Sequence, residues 1–266
     1  MRSRGCTSLR PRIAIPMPHS TDLEYSERAI PQYERAVTLA GGEPVRISPD
    51  APIEQIKNLI AGCDGVLLPG SKADVDPARF NQVKSPHAAS ADLRREAVDD
   101  LLLEDAYANH KPVLGVCYGL QSLNVFRNGS LIQHIPDFLP ETTRSKVNHE
   151  AGRHVPIAHG VEIAPDSKLA AIIKEDGRGP RSEVRGPLVV PVNSSHHQSA
   201  DVAGEGLEIV ARCSDDGIIE ALEGTSPDHF VIAVQWHPER SVDDDKFSLS
   251  LFRKLVEFAR IEQSQH

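Results

Sequence analysis

One cysteine of this chain stands between two glycines at the end of an apolar run, in Gly115-Val116-Cys117-Tyr118-Gly119, and a helical pattern follows at once. A strand that turns sharply into a helix forces its corner residue into strained backbone space. Glycines on either side let neighbouring backbone pass without Cβ clashes, the logic of the G-x-S-x-G nucleophile elbow, here with a thiol. The helix start offers free N–H groups and the positive end of a dipole, and both favour thiolate, the nucleophilic form. The backbone N–H of Tyr118 is placed to meet an oxyanion formed beside the sulfur. On this segment alone, a cysteine buried in a core turn is the competing reading.

A thiol nucleophile needs a base. Among twelve histidines the informative one lies in "HFVIAVQWHPE", where an apolar strand delivers His237, Pro238 and Glu239. Alternate residues of an extended chain point the same way, so His237 and Glu239 share a face. Proline holds the preceding residue extended, and Glu239 can then fix the imidazole's tautomer. A solvated strand-end pair is the bland alternative. Beside a cysteine elbow the two complete a Cys–His–acid set. The chain order Cys, His, Glu argues against a thiol variant of the α/β-hydrolases, in which the acid precedes the histidine.

These residues need elements to hold them. "RIAIP", "EPVRIS", "DGVLLPGS" and "KPVLGVC" read as buried strands, separated by helical stretches over "SERAIPQYERAVTLA", "IEQIKNLIAGC" and "ADLRREAVDDLLLEDAYANH". In the last of these, Leu93, Ala97, Leu101 and Leu102 fall near one face and are the expected core contacts. Alternating strands and helices imply an α/β fold with a parallel sheet covered on both faces. Ligands bind such sheets beyond the carboxyl ends of the strands, where Gly70 and Cys117 are expected. After Ile135 short strand-like runs with turns between them predict a hairpin-rich second half. "KEDGRGPRSEVRG" (174–186) reads as a flexible loop, and a helix opened by Asp243–Asp245 closes the chain. One domain is expected over 10–262, with a flexible tail over 1–9.

The 266 residues carry a net charge of −9, which disfavours nucleic acid and anionic membranes as partners. The four cysteines, Cys6, Cys63, Cys117 and Cys213, match no C-x-x-C pattern and read as reduced thiols of a cytoplasmic protein. The basic start lacks the apolar stretch of a signal peptide, and no run is long enough to span a bilayer.

"GVCYGLQSLN" together with "AVQWHPE" resembles the class I glutamine amidotransferase superfamily. "LLPGSKADVDP", "VNSSHHQ" and "DDGIIEALE" narrow the resemblance to the peptidase C26 branch, which includes γ-glutamyl-γ-aminobutyrate hydrolase. The pieces fall in the expected order from about Arg12 to Arg260. The resemblance implies a flavodoxin-like three-layer sandwich with a mixed, mainly parallel sheet, and hydrolysis of γ-glutamyl amides. It implies Cys117 as nucleophile, His237 as base and acid, and Glu239 as orienter. Gly70 and Tyr118 would form the oxyanion hole through backbone N–H groups. Gln121, one helical turn after Cys117, would contact the glutamyl moiety.

From the N-S-x-H-H-Q match, Ser195 is expected on a substrate carboxylate and His196 and His197 at the pocket mouth, a plain polar loop being the alternative. Glu220, in "IIEALE", is expected near the substrate amine or, equally, on the wet face of a strand. A metal at His196–His197 is set aside, because adjacent histidines without thiolates or carboxylates at ligand spacing make a poor site. No cofactor is expected. Two departures bear on substrate choice: Tyr118 stands where the hydrolase branch often carries arginine, and Lys72 lies in a loop that is otherwise more glycine-rich.

The resulting expectation is a cysteine-dependent hydrolase that forms a γ-glutamyl thioester from a small γ-glutamyl substrate and releases glutamate. The alternatives are a glutaminase subunit feeding ammonia to a synthase on a separate polypeptide, and a non-catalytic binding protein with this fold. Assembly into homo-oligomers is left open, as is the leaving amine.

Overall fold

Two faces of one sheet account for most of the apolar sequence. The computed structural model of the protein describes residues 10–175 and 188–263. The tail expected over 1–9 lies outside them, as does the expected loop after its first two residues. The strands are β1 (Arg12–Pro16), β2 (Glu43–Ile47), β3 (Gly65–Leu68), β4 (Val113–Val116), β5 (Leu131–Ile132), β6 (His159–Ile163), β7 (Leu188–Val192), β8 (Ser199–Ala200), β9 (Leu207–Cys213), β10 (Ile219–Gly224) and β11 (Val231–Val234). The helices are α1 (Leu23–Leu39), α2 (Ile53–Ala61), α3 (Leu93–Ala108), α4 (Tyr118–Phe126), the short α5 (Ile135–Phe138) and α6 (Glu141–Arg144), α7 (Lys168–Glu175) and α8 (Lys246–Gln263).

Nine strands form one sheet in the order β2-β1-β3-β4-β11-β10-β9-β6-β7. The pairs from β2 to β11 are parallel, and those from β11 to β7 antiparallel. The mixed sheet, with β2, β1, β3, β4 and β11 forming its parallel part, and the hairpin-rich second half are therefore both as expected. α7, which the sequence reading does not assign beyond placing its last two residues in the expected loop, packs beside α8.

Alternation in β1 assigns the two cores. Ile13 and Ile15 pack on the layer of α1, α7 and α8, with Ile30, Val37, Phe252 and Leu255. Ala14 packs on the opposite layer of α2, α3 and α4, with Leu102, Leu103, Leu120 and Leu123. β3 and β4 are buried along their whole length, which is why they read as unbroken apolar runs. Among the described residues no helix is long and apolar enough to cross a membrane.

α3 departs from expectation. Leu93 is 63% exposed and Ala97 is exposed, while Arg95, Val98, Asp99, Leu102, Leu103 and Ala106 are buried. The helix is turned so that a charged pair faces inward. Arg95 Nε donates to Asp99 Oδ1 at 2.7 Å, one helical turn on. Its remaining N–H groups donate to backbone carbonyls of Pro69 (2.8 Å), Pro18 (3.1 Å) and Met17 (3.4 Å). Asp99 Oδ2 accepts from Ser122 of α4 at 2.9 Å. Hydropathy assigns both charges to solvent; their partners, far off in sequence, make burial tolerable. The pair fastens the loops after β1 and β3 to the helix that follows Cys117.

Breaking such a pair strands a buried charge. Arg95→Met or Asp99→Leu alone is expected to cost about 3–5 kcal/mol of folding stability, and the double substitution Arg95→Met/Asp99→Leu less than either. Urea unfolding monitored by circular dichroism measures this, and additive losses would count against it.

Candidate active site

Three neighbouring parallel strands end at one edge. Gly70 follows β3, Cys117 follows β4 and His237 follows β11, with Leu68 opposite Gly115 and Val116 opposite Val234. Sheet register alone therefore gathers residues separated by well over a hundred positions.

Cys117 adopts φ 53° and ψ −106°, left-handed backbone that a side chain rarely tolerates. It is pinned by its own N–H, which donates to the Val234 carbonyl at 2.8 Å, and by the start of α4 immediately after it. A Cβ at Gly119 would lie 2.2 Å from the Leu68 carbonyl oxygen, and one at Gly115 would lie 2.9 Å from the Gly119 carbonyl. Both glycines are thus required by the close approach of helix to strands. As the first residue of α4, Tyr118 has an N–H without an acceptor inside the helix.

The other described cysteines, Cys63 and Cys213, are also buried. Burial pushes Cys63 up to about 11 and Cys213 up to about 12, so both stay thiols.

His237 Nδ1 and Glu239 Oε1 are 2.8 Å apart, and both residues are buried. Burial lowers the imidazole's pKa, but the charges of Glu239 and then Cys117 prevail and raise it to about 9. Glu239 is pushed up by burial but held below its ordinary range by His237, with help from Arg240. Asn193 grips the backbone here: its Nδ2 donates to the His237 carbonyl and its Oδ1 accepts from the His237 N–H, both at 2.9 Å. Sequence reasoning passed over Asn193, although it opens the N-S-x-H-H-Q stretch.

Cys117, His237 and Glu239 line a cleft of about 400 Å³ together with Tyr118, Gln121, Ser195, His196 and His197. Gln121 donates to the Gln198 carbonyl (3.2 Å) and to Gln235 Oε1 (3.3 Å). His197 is held by Asp74 at 2.9 Å, which raises its pKa despite partial burial.

Three expectations need revision. Gly70 touches the site, since a Cβ there would lie 3.0 Å from the His237 ring and 3.6 Å from Cys117. Its N–H, however, is already donated to the Tyr33 hydroxyl at 3.0 Å. Burial, then the charge of Glu239, keeps the Tyr33 pKa well above its ordinary value, so the phenol retains its own proton. Glu220 does not line the cleft: it is wholly buried, behind His196, because every residue of β10 is covered on both faces. The Tyr118 side chain also turns inward. It packs among Val75, Phe80 and Val125 with the Arg95 guanidinium 4.9 Å from its ring centre.

Comparison with known proteins bears on the same span. A model of the peptidase C26 family matches residues 13–239. The chain is similar to a Mycobacterium tuberculosis protein named as a glutamine amidotransferase, at 38% identity over 231 residues. That match covers 85% of this chain and 66% of the relative, so the chain spans about two thirds of the relative's length. It is also similar to the γ-glutamyl-γ-aminobutyrate hydrolase of Escherichia coli, at 29% identity over 230 residues, covering 85% and 84% of the two chains. A solved Thermoplasma acidophilum structure, described as one subunit of a GMP synthase, overlays with a TM-score of 0.62 at 12% identity, covering 96% and 97% of the chains, a likeness of fold.

The raised His237 pKa has a stability consequence. An unfolded imidazole titrates near 6.5 and this one near 9, so the folded state binds the proton more tightly. That stabilisation is complete below pH 6.5 and is lost as pH rises through about 9. Histidine-labelled NMR, with His237→Asn for assignment, should find the midpoint near 9, and Glu239→Gln should bring it back toward the ordinary histidine range.

Proposed function

The chain belongs to the peptidase C26 family, hydrolases acting on C–N bonds, and from that premise we propose that it cleaves a γ-glutamyl amide through a thioester on Cys117. The observation that carries this reading is the convergence, at three adjacent strand ends, of a strained cysteine and a buried, carboxylate-held imidazole.

The steps follow from the groups available. The Cys117 thiolate attacks the γ-carbonyl carbon, and the carbonyl π electrons move to oxygen. The Tyr118 N–H and the Tyr33 O–H, the latter held by the Gly70 N–H, donate to that oxyanion. Protonated His237 gives its proton to the departing amine as the C–N bond breaks. The thioester remains. Neutral His237 then takes a proton from water, hydroxide adds to the acyl carbon, and collapse releases glutamate and the Cys117 thiolate. Glu239 holds the imidazole oriented through both proton transfers, and Asn193 fixes the backbone that carries it.

Charge on the cleft wall favours an amino-acid acyl group. Arg153 donates to Gln32 Oε1 at 3.1 Å, and neither Arg153 nor Glu150 forms an ion pair among the described residues. A γ-glutamyl group carries an α-carboxylate and an α-ammonium, which these two opposite charges complement. The E. coli relative named as a γ-glutamyl-γ-aminobutyrate hydrolase makes γ-glutamyl amines the first substrates to try.

Purified protein should release glutamate from a γ-glutamyl amine without any partner, and Cys117→Ala should abolish release while staying folded. His237→Asn should block the first, amine-releasing step. Release that survives Cys117→Ala removes the thioester route; silence on glutamine, γ-glutamyl-GABA and a γ-glutamyl peptide alike removes the free-standing hydrolase.

The phenolic donor is tested separately. Tyr33→Phe is expected to lower kcat by about 10²-fold with little change in KM, the usual cost of one oxyanion donor. A higher kcat would mean that the phenol obstructs the Gly70 N–H instead.

A further inference from the structure

Behind the cleft wall, four buried side chains from separate parts of the chain turn toward one point. They are His149 from the loop before β6, His159 at the start of β6, His196 from the loop after β7, and Glu220 of β10. Each is at most 5% exposed. His149 Nδ1, His159 Nε2 and His196 Nε2 lie 3.4, 3.4 and 3.6 Å from Glu220 Oε1. All four atoms fall within 4.8 Å of one another, and none has a hydrogen-bond partner.

The outer nitrogens fix the tautomers. His149 Nε2 faces Asp216 Oδ2 at 2.9 Å, and His196 Nδ1 faces the Gln198 carbonyl at 2.9 Å. His159 Nδ1 faces the Gly160 carbonyl at 3.4 Å, a long contact. Carboxylate and carbonyl oxygens only accept, so the outer nitrogens carry the protons. The inner nitrogens then present lone pairs to each other and to a carboxylate. Four acceptors facing one another in a buried site require positive charge between them.

The spacing says which kind. A single proton on one imidazole would draw that nitrogen to about 2.8 Å from the carboxylate and leave the other two unpaired. Three nearly equal separations do not have that form. A tetrahedral ion with bonds of about 2.0–2.1 Å places its ligand atoms about 3.3–3.4 Å apart, close to the three nitrogen-to-carboxylate separations. The outer contacts are the carboxylate and carbonyl partners that metal-bound histidines use. Glu220 directly, and Asp216 through His149, supply two negative charges.

We infer that His149, His159, His196 and Glu220 bind one divalent transition-metal ion of the zinc class. With three imidazole nitrogens and one carboxylate oxygen the tetrahedron is closed, which makes the role structural. The ion ties β6, β10 and the two loops into one wall of the cleft. Metal at His196 set aside on the sequence, for want of a nearby carboxylate, returns through residues that only the fold brings to it. A cavity of about 310 Å³ bounded by Ile135, Leu139, His149 and His196 adjoins the site.

The test uses the full chain in both its native form and as Cys117→Ala, which removes the cleft thiol as a competing ligand. Metal analysis after purification should find about one zinc-class ion per chain. After chelation, added Co²⁺ should give the intense visible absorption of tetrahedral coordination. Zn²⁺ at a hundredfold excess over its Kd should raise Tm by about 5–10 °C. Glu220→Gln should abolish the Co²⁺ spectrum. Because Glu220 is wholly buried, Asp216→Asn serves as a second, milder variant and should weaken Co²⁺ binding about 10–100-fold. The inference fails if chelated protein gives neither Co²⁺ absorption nor a Zn²⁺-dependent Tm. It fails equally if binding persists unchanged in both variants, which would place the ion elsewhere, for instance at the exposed His87–His134–Asp137 group.

Discussion

Helix α4 begins so close to β3 that a single methyl group on Gly119 would lie 2.2 Å from the Leu68 carbonyl oxygen. The rest of the site depends on this contact. It leaves the chain only one residue in which to turn from strand to helix, and that residue is Cys117, at φ 53°. The turn is strained, and it persists because β4 is paired on both sides and α4 is wedged against its neighbours. The same wedge fixes where α4 starts, and with it the Tyr118 N–H that has no acceptor inside the helix. On the proposed mechanism, the strain at Cys117 and this oxyanion donor both follow from one packing contact.

The wedge is held from behind by apolar packing of Leu120 and Leu123 and also by buried polar residues. Arg95 spends its guanidinium on Asp99 and three backbone carbonyls. Two of the three belong to the loop after β1, and the third to Pro69, next to Gly70. Asp99 carries the link to Ser122 in α4. Apolar packing could fill this volume, but it could not specify where a loop carbonyl sits. A buried charge satisfied by four oxygens from three segments is costly to misplace, so it sets the loops in register.

What the sequence made legible was local. The cysteine elbow and the His-Pro-Glu spacing each lie within a few residues, and each strand or helix of the alternating pattern is a single continuous segment, where backbone geometry and periodicity act directly. The missing pieces are long-range. Arg95 and Asp99 look like the wet face of an amphipathic helix until the carbonyls of Met17, Pro18 and Pro69 are found beside them. Asn193 gives no sign of gripping a residue 44 positions away. Glu220 reads as a cleft residue on a half-wet strand, yet β10 is covered on both faces and its alternate side chains are all buried. His149 and His159 carry no motif at all; only the sheet order β10-β9-β6 brings them to Glu220.

The short stretch from Asn193 to Gln198 joins these two kinds of position. At one end Asn193 holds the His237 backbone with a pair of 2.9 Å bonds. At the other, the Gln198 carbonyl accepts from both Gln121 in the cleft and His196 in the histidine cluster. Between them the His196 N–H donates to the His149 carbonyl, and Ser194 Oγ donates to the same oxygen. A loop tethered at so many points has little freedom of its own, and its position is set by whatever fixes His149 and His196. Whatever charge sits among the three imidazoles and Glu220 is therefore coupled, through one carbonyl and one asparagine, to the placement of Gln121 and of His237. On the proposed mechanism, that makes the buried cluster a determinant of the geometry in which Cys117 meets His237.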